Sequence, residues 1–546
     1  MSLFRRFGRE KGTEQATTSG REIQGEVLQE GNLKYAIEQG GNGSLPSYQE
    51  VTGAPVERLS PLGYAVGPVT IMFLNISMMI GTGVYSTPAS VLSGTGSVGL
   101  SMIYWFLGFL IASSSLSVYL EYASYFPNRS GSETVYLEAS ISPSEIFFPD
   151  SICCSVILAQ YLYKINGHTP TNWELKGVAI AGYSVAVLLL LFHTRFSFWL
   201  SNGIGIVKVL TLVFIAITGL VVLGGHTAVK NPTINFQNAF ESSGTTPYGV
   251  TNALVKIIFS YAGYQNAFNV VNEVKLELFE TTLLFPFSKT DLRTSSQVAA
   301  ALFFQNVFGN SGAVRGLNFL IALSAFGNLL AVLIGQSRLI RECGRQGVLP
   351  YPRFWASTRP FGTPTGPYFV KWALTVLMIL APPAGDAFNF IVDLQNYPAA
   401  FFNVTMAIGL YIVRYRRKKL ALPRTEFRAW DFVVIFNILT NLYILIMPWY
   451  PPAKGRAGGD VSFCLVICGL YYSAWVYILP KFGGYQIRQE VIDLGDGATT
   501  HKLVKVPNEE LARWDETHDA VGRSLTEATQ GGSDKDSQQT PQGEKV

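Results

Sequence analysis

Three short stretches of this 546-residue chain carry residues that could do chemistry. The first is Ile80-Gly81-Thr82-Gly83-Val84-Tyr85-Ser86-Thr87-Pro88, which sets two glycines and a proline inside an apolar run. Both residue types break helices, and broken backbone survives at membrane depth only inside protein or beside a cavity. The N–H groups freed at the start of a half-helix, at the positive end of its dipole, suit a carboxylate. The carbonyls freed on the other side suit an ammonium, so a zwitterionic amino acid would satisfy both. The same small residues could instead form a packing face for a neighbouring helix. The second stretch, Phe259-Ser260-Tyr261-Ala262-Gly263-Tyr264-Gln265-Asn266, again interrupts an apolar run with small and polar residues. Two interrupted helices in corresponding positions of two halves point to a transport site at the membrane midplane. Phe259 is then a candidate lid, an aromatic ring that closes over substrate and excludes water.

The third is Lys208, a single cation inside Gly203-Ile204-Gly205-Ile206-Val207-Lys208-Val209-Leu210-Thr211. A buried charge is expensive and is a functional candidate by default. Its ammonium could stand where other transporters bind Na⁺, it could carry a proton, or it could snorkel to the surface. Snorkelling is the expectation for Lys256 and Lys371. Glu121 and Glu273, at the ends of spans, are expected to anchor loops. No nucleophile–base pair, phosphate loop or metal-ligand spacing accompanies these stretches; the five histidines, at 168, 193, 226, 501 and 518, are scattered. An enzyme is not expected, and no cofactor or metal is implied.

The elements that must position these residues are membrane helices. Charged residues make up 14% of the chain and hydrophobic ones 48%, against about 25% charged in soluble domains. Residues 1–60 hold 7 basic and 8 acidic side chains and residues 481–546 hold 8 and 12, leaving 43 charges for the central 420 residues. That excludes a soluble multidomain enzyme and a nucleic-acid binder, which needs a dense basic face. Ten apolar stretches are long enough to span: about 64–92, 98–124, 176–194, 203–224, 250–272, 313–337, 367–383, 386–413, 431–450 and 461–480. Residues 146–163 and 297–308 fall short, and such segments lie along the interface or inside protein. The polar start offers no cleavable signal peptide, so the first span is expected to act as the insertion signal. Residues 9–60 and 490–546 have the composition of disordered tails. The domain expectation is therefore a disordered tail over 1–60, a transmembrane domain over 61–480 and a mostly disordered tail over 481–546.

Cationic loops set orientation. Residues 338–359 and 414–428 hold 12 of the 26 central basic side chains and are expected in the cytosol with both tails. Arg129 and Arg195 then flank one clear span where two are needed, and so do Lys275 and Arg338. The chain reads as a twelve-span protein with one span frayed and another missing. Cys153, Cys154, Cys343, Cys464 and Cys468 imply no disulfide framework.

With these residues the chain resembles the amino acid–polyamine–organocation superfamily, in its L-type amino acid transporter branch, and most closely the fungal high-affinity methionine permeases. The resemblance is carried by the 80–88 and 259–266 stretches, by Pro127-Asn128-Arg129-Ser130-Gly131-Ser132-Glu133, by Val298-Ala299-Ala300-Ala301-Leu302-Phe303-Phe304 and by Ser337-Arg338-Leu339-Ile340-Arg341-Glu342. It implies an all-α multispanning fold, a 5+5 inverted repeat like that of the bacterial leucine transporter plus two helices. It implies a plasma-membrane carrier that imports a neutral L-amino acid, methionine in the fungal branch, by alternating access. Carried over residue by residue, Gly81, Thr82 and Gly83, with Ile80 before them, resemble the carboxylate-binding turn, and Phe259 the aromatic gate. Ser260, Tyr261 and Ala262 resemble the backbone that takes the amine, and Gln265 a polar residue of the site. Lys208 resembles the fifth-helix lysine that makes these carriers Na⁺-independent; proton coupling is compatible with the pattern. Animal members pair with a glycoprotein through a cysteine before helix four. The loop at 166–175 has none, so no disulfide-linked partner is expected. The lipid bilayer and a small amino acid are the expected partners. Two departures stand out. Residues 276–293 replace the seventh helix and resemble nothing in the family, and the third helix is shortened between Glu138 and Ser155. The alternative reading is therefore a defective or non-transporting paralogue, an error in the predicted gene, or a sensor-like receptor.

Overall fold

The computed structural model describes residues 66–140, 151–225, 237–273, 312–419, 425–447 and 478–525 with short gaps, single positions at 470 and 474, and pieces at 21–36 and 54–63. Its body is helical. The first apolar stretch is three pieces, α1 (Pro68–Met79), α2 (Thr82–Ser86) and α3 (Pro88–Thr95), each break falling at a Gly or Pro. Gly96, at φ 69°, ends α3, and the Ser97 side chain accepts from Leu100 N to start α4 (Val98–Tyr125). Then come α5 (Glu133–Ser140), α6 (Ser151–Ile165), α7 (Asn172–Phe192) and α8 (Thr194–Leu223). A Thr171–Glu174 capping box opens α7.

The second half begins with α9 (Pro247–Tyr261) and two 3₁₀ turns, Tyr264–Asn269 and Val271–Glu273. It continues with α10 (Gly312–Arg345), α11 (Pro352–Ala356), α12 (Thr365–Leu380), α13 (Ala384–Lys419) and α14 (Asp431–Ile446). Three short antiparallel strands, β1 (Arg21–Gln24), β2 (Val27–Glu30) and β3 (Leu33–Ala36), precede this body. After it come α15 (Leu479–Gly483), an antiparallel hairpin of β4 (Tyr485–Asp493) and β5 (Thr499–Pro507), and α16 (Leu511–Thr517).

Five described helices are long and apolar enough to cross a membrane: Pro68–Ser86 taken together, α4, α7, α8 and α10. α12 and α14 are apolar but shorter. Several expectations change. The span at 250–272 is no single helix, because α9 stops at Tyr261. The span at 386–413 is part of a 36-residue helix with Pro398 inside it. Of residues 146–163, those from 151 on belong to α6, which packs against α10 and buries Leu158, Ala159 and Tyr161 inside protein, and those before it lie outside the described residues. The expected missing seventh helix at 276–293, the segment 297–308 and most of 461–480 lie outside the described residues.

Helix α10 is the axis of the body. It packs on α1, α6, α7 and α8, and it is apolar on nearly every side over Leu329–Ile334, as a fully enclosed helix must be. It also runs on to Arg345, so Arg338, Arg341 and Arg345 are helical and buried, not loop charges. Lys371 is likewise buried at 1% exposure, against the expectation that it snorkels.

The loop-anchoring acids are fully enclosed. Glu121 on α4 takes Arg414 of α13 in a fork of 2.7 and 2.6 Å, with Tyr125 Oη at 2.6 Å and Ala429 N at 2.7 Å. Glu273 pairs with Arg338 at 2.7 Å. At the far end of α10 both tails dock. Glu57 pairs with Arg341 at 2.6 Å, and Arg345 donates to Pro55 O and to Thr499 O. Thr500 Oγ1 donates back to Arg345 O at 3.2 Å. The tail composition, read as disorder, thus conceals a hairpin that the α10 arginines hold. In it His501 is fully buried, with Nε2 2.8 Å from Val521 O. Burial, and then the fields of Arg129, Arg345 and Arg523, push its pKa down from 6.5 to about 3.

Two predictions follow from this packing. Glu121→Ala leaves the Arg414 guanidinium to Asp431 and Ala429 O and strands the Ala429 N–H and the Tyr125 hydroxyl, and should cost about 2–3 kcal/mol, read as a fall in the unfolding midpoint in detergent. A loss under about 1 kcal/mol would show that the fork does not hold α4 to α13. Protonating His501 requires undocking, so docking is complete above pH 6.5 and weakens by about 1.4 kcal/mol per unit as pH falls toward 3. Protease cleavage of the hairpin should therefore rise steeply between pH 7 and 5. Equal protection at both values counts against it.

Candidate functional site

The break between α1 and α2 lies in the centre of the body. Ile80 ends α1 at φ −83°, ψ 60°, and Gly81 begins α2 with no side chain capping it. The last carbonyls of α1 have lost their helical partners, and those of Ser77, Met78 and Ile80 find donors on neighbouring helices. Lys208 Nζ on α8 donates to Ser77 O at 2.7 Å. Lys208 is 1% exposed, so the ammonium sits inside the protein and does not snorkel. Asn328 on α10, its amide nitrogen turned to the same end, donates to Ser77 O at 3.1 Å and Met78 O at 3.2 Å. Ser324 Oγ donates to Ile80 O at 3.3 Å. A cation at the negative end of a helix dipole is also favourable in its own right.

The second break faces the first. α9 ends at Tyr261, Ala262 is extended at ψ 145°, and Gly263 takes φ 129°, a conformation for glycine alone. The contact between the breaks is close: a Cβ on Gly83 would stand 2.9 Å from Ser260 Cα and 3.3 Å from the Phe259 ring. The Thr87 and Ser260 hydroxyls lie 2.7 Å apart. Phe259 packs against an apolar cluster that includes Ile80, Tyr85 and Tyr161, with its ring beside Gly83.

The candidate residues therefore divide. Ile80, Gly81, Gly83, Phe259 and Ser260 come together, and Thr82 enters with its backbone at the first turn of α2. Tyr261 contributes backbone, while its ring turns to Trp105 and Phe109 of α4, with centroids 5.9 and 6.4 Å away. Ala262 is the cap itself. Gln265 folds back, its Oε1 accepting from Gly263 N at 3.0 Å, so it closes the turn. Lys208 stands behind the first break, on its carbonyl side.

Sequence reasoning missed Thr87, Ser324 and Asn328 as members of the site, and Tyr85, whose buried hydroxyl lies near Ser324. Ser324 and Asn328 carried a signal: polar side chains four apart share one helix face, and an apolar span seldom holds them without reason. As at any helix end, the first turn of α2 has backbone N–H groups and the last turn of α9 carbonyls without intrahelical partners, and Phe259 O takes one donor, Ala262 N, at 3.3 Å.

The chain belongs to the amino acid permease family, whose model matches residues 66–286 and 282–471. It is a multi-pass membrane protein of a family of permeases, not enzymes. The high-affinity methionine permease of Saccharomyces cerevisiae is 32% identical over 84% of this chain and 87% of its own length. The low-affinity methionine permease of the same yeast is 25% identical over 82% and 89%. The b(0,+)-type amino acid transporter 1 of Mus musculus is 23% identical over 77% and 89%.

Gly83→Val should abolish substrate uptake while the protein still reaches the membrane, because the added carbons would enter the space of Ser260 and Phe259. Undiminished uptake by this variant would put the site elsewhere.

Proposed function

We propose that this chain imports a neutral L-amino acid, with methionine foremost, across the plasma membrane by alternating access and without Na⁺. The observation that carries the reading is the meeting of the two breaks at Gly83 and Ser260. One side offers N–H groups to a carboxylate and the other offers carbonyls to an ammonium. Lys208 at the freed carbonyl of Ser77 stands where a metal cation would otherwise be needed, which supports Na⁺-independence. The two most similar relatives named above are methionine permeases, which favours that substrate. In this reading the permease domain is 61–480, organised as two inverted five-helix repeats with two further helices. Both tails are cytosolic, in keeping with their docking on one end of α10.

A second reading is a non-transporting relative. It is favoured by residues 276–293, which resemble no family helix, and by a family match divided into two segments that meet at 282–286.

Labelled L-methionine uptake into cells without their own methionine permeases separates the two. The carrier should accumulate label equally in Na⁺ and in choline, with leucine and cysteine competing and arginine not. Inhibition by arginine equal to that by leucine would remove the neutral-substrate claim. Absence of uptake from a chain that reaches the membrane would leave the non-transporting reading.

A further inference from the structure

Helix α13 ends in a run of cations, Arg414-Tyr415-Arg416-Arg417-Lys418-Lys419, and residues 414–431 together hold seven basic side chains against two acidic ones. Asp431, the first residue of α14, gathers the two helix ends. Its carboxylate takes Arg414 at 2.6 Å and lies 3.8 Å from Arg428, and its backbone oxygen accepts from Tyr411 Oη at 3.4 Å. Glu121 of α4 engages Arg414 as well, so the innermost cation is shared by two acids. Arg417 lies over the Tyr125 ring, 4.4 Å from its centroid. Arg416, Lys418, Lys419 and Arg428 are exposed. An excess of positive charge therefore stands at the surface of this joint, and it attracts anions.

The surroundings decide which kind of anion. On α13, Phe401, Ile408 and Tyr415 are exposed at seven-residue spacing, a single face of the helix that leads up to Lys419. On α14, Phe432, Ile435, Leu439 and Ile446 are exposed at the spacing of one face, which leads away from Arg428. The two helices pack on each other, and each apolar face ends at the cations. Tyr415 and Trp430, 69% and 71% exposed, stand at the change from apolar to charged, as aromatic side chains do at a membrane interface. Lysine and arginine at that depth meet lipid headgroups, and a cluster of them beside a membrane helix on the cytosolic side draws anionic lipid. A soluble anion would use the cations alone. A phospholipid uses both features, its phosphate against the cations and its acyl chains against the apolar faces.

We propose that the α13–α14 joint binds the headgroup of an anionic phospholipid of the cytosolic leaflet, with the phosphate on Arg416, Lys418, Lys419 and Arg428. The leaflet follows from the cytosolic orientation that the charge of residues 414–428 implies. The site does not involve the amino acid substrate, so it stands or falls apart from the carrier reading.

The test uses the full chain in phosphatidylcholine vesicles that carry a trace of lipid spin-labelled on an acyl chain, either phosphatidylserine or phosphatidylcholine. The fraction of label immobilised on the protein is read by electron paramagnetic resonance. Wild-type protein should immobilise phosphatidylserine in excess over phosphatidylcholine, and high salt should shrink the excess. Combining Arg416→Gln, Lys418→Gln, Lys419→Gln and Arg428→Gln should abolish it. The milder pair Lys418→Gln and Lys419→Gln should lose at least half of it, and this pair answers the question if the fourfold variant does not fold. Lys502→Gln with Lys505→Gln, which removes two exposed cations of the tail hairpin, should keep the excess in full. No excess with wild-type protein, or an undiminished excess with the Lys418 and Lys419 pair, overturns the proposal. Equal loss with the hairpin pair also overturns it, because the attraction would then be diffuse. Displacement of the label by soluble glycerophosphoserine overturns the lipid as occupant and leaves a site for a free phosphate ester.

Discussion

A carbonyl exposed in hydrocarbon must find a donor, and this constraint organises the body around residue 80. Leaving one such group unpaired costs several kcal/mol, so a helix cannot stop between Met79 and Thr82 unless its neighbours supply hydrogens. Lys208, Asn328 and Ser324 do so from two different helices. For them to reach, α1, α8 and α10 must come unusually close. Glycines permit the approach. A Cβ on Gly205 would strike Phe73 of α1, one on Gly327 would strike Ile204 and crowd Lys208, and one on Gly81 would strike Asn328. The break and the packing around it are thus one requirement.

The same logic pairs the half-helices crosswise. α1 runs beside the segment that follows the second break, with Asn75 Oδ1 accepting from Ala267 N at 3.0 Å and Val66 N donating to Glu273 O at 3.3 Å. α2 meets α9 through Thr87 and Ser260. Each half of one interrupted helix is therefore tied to the opposite half of the other. The Glu273–Arg338 pair, with Tyr368 on the guanidinium at 2.7 Å, fastens the first of these couples to α10. Buried pairs of this kind add little net stability over apolar packing but penalise any wrong register heavily. That is what a body with two broken helices needs.

The breaks were legible in the sequence because glycine and proline act locally: residues 80–88 and 259–266 end helices wherever they are placed. The buried cation at 208 was legible too, since an apolar span holds no charge without a cause. What the sequence concealed was partnership. Arg338, Arg341 and Arg345 read as loop charges because positive clusters mark one side of a membrane, yet α10 carries them inward to Glu273, Glu57 and Glu342. Residues 485–507 read as a polar tail because a two-stranded hairpin has too small an apolar face to register in composition, and what holds it is Arg345, some 150 residues away. Gln265 was read as a polar residue of the site on the strength of its type and place, and only the fold reveals that its amide oxygen accepts from Gly263 N.

The environment of the breaks also bears on charge selection. A ligand spanning α2 and α9 brings one carboxylate and one ammonium, and these use the open N–H and carbonyl groups. In the proposed reading the rest of the ligand meets the apolar cluster that Phe259 packs against, which includes Ile80, Tyr85 and Tyr161. Lys208 lies behind the first break with its ammonium on Ser77 O. A third charge on the ligand would find no counter-ion among these residues, and burying it unpaired would cost far more than the burial of a thioether or an aliphatic side chain returns. In the proposed reading, the backbone that takes the α-amino and α-carboxyl groups thus sits in apolar surroundings that favour uncharged side chains.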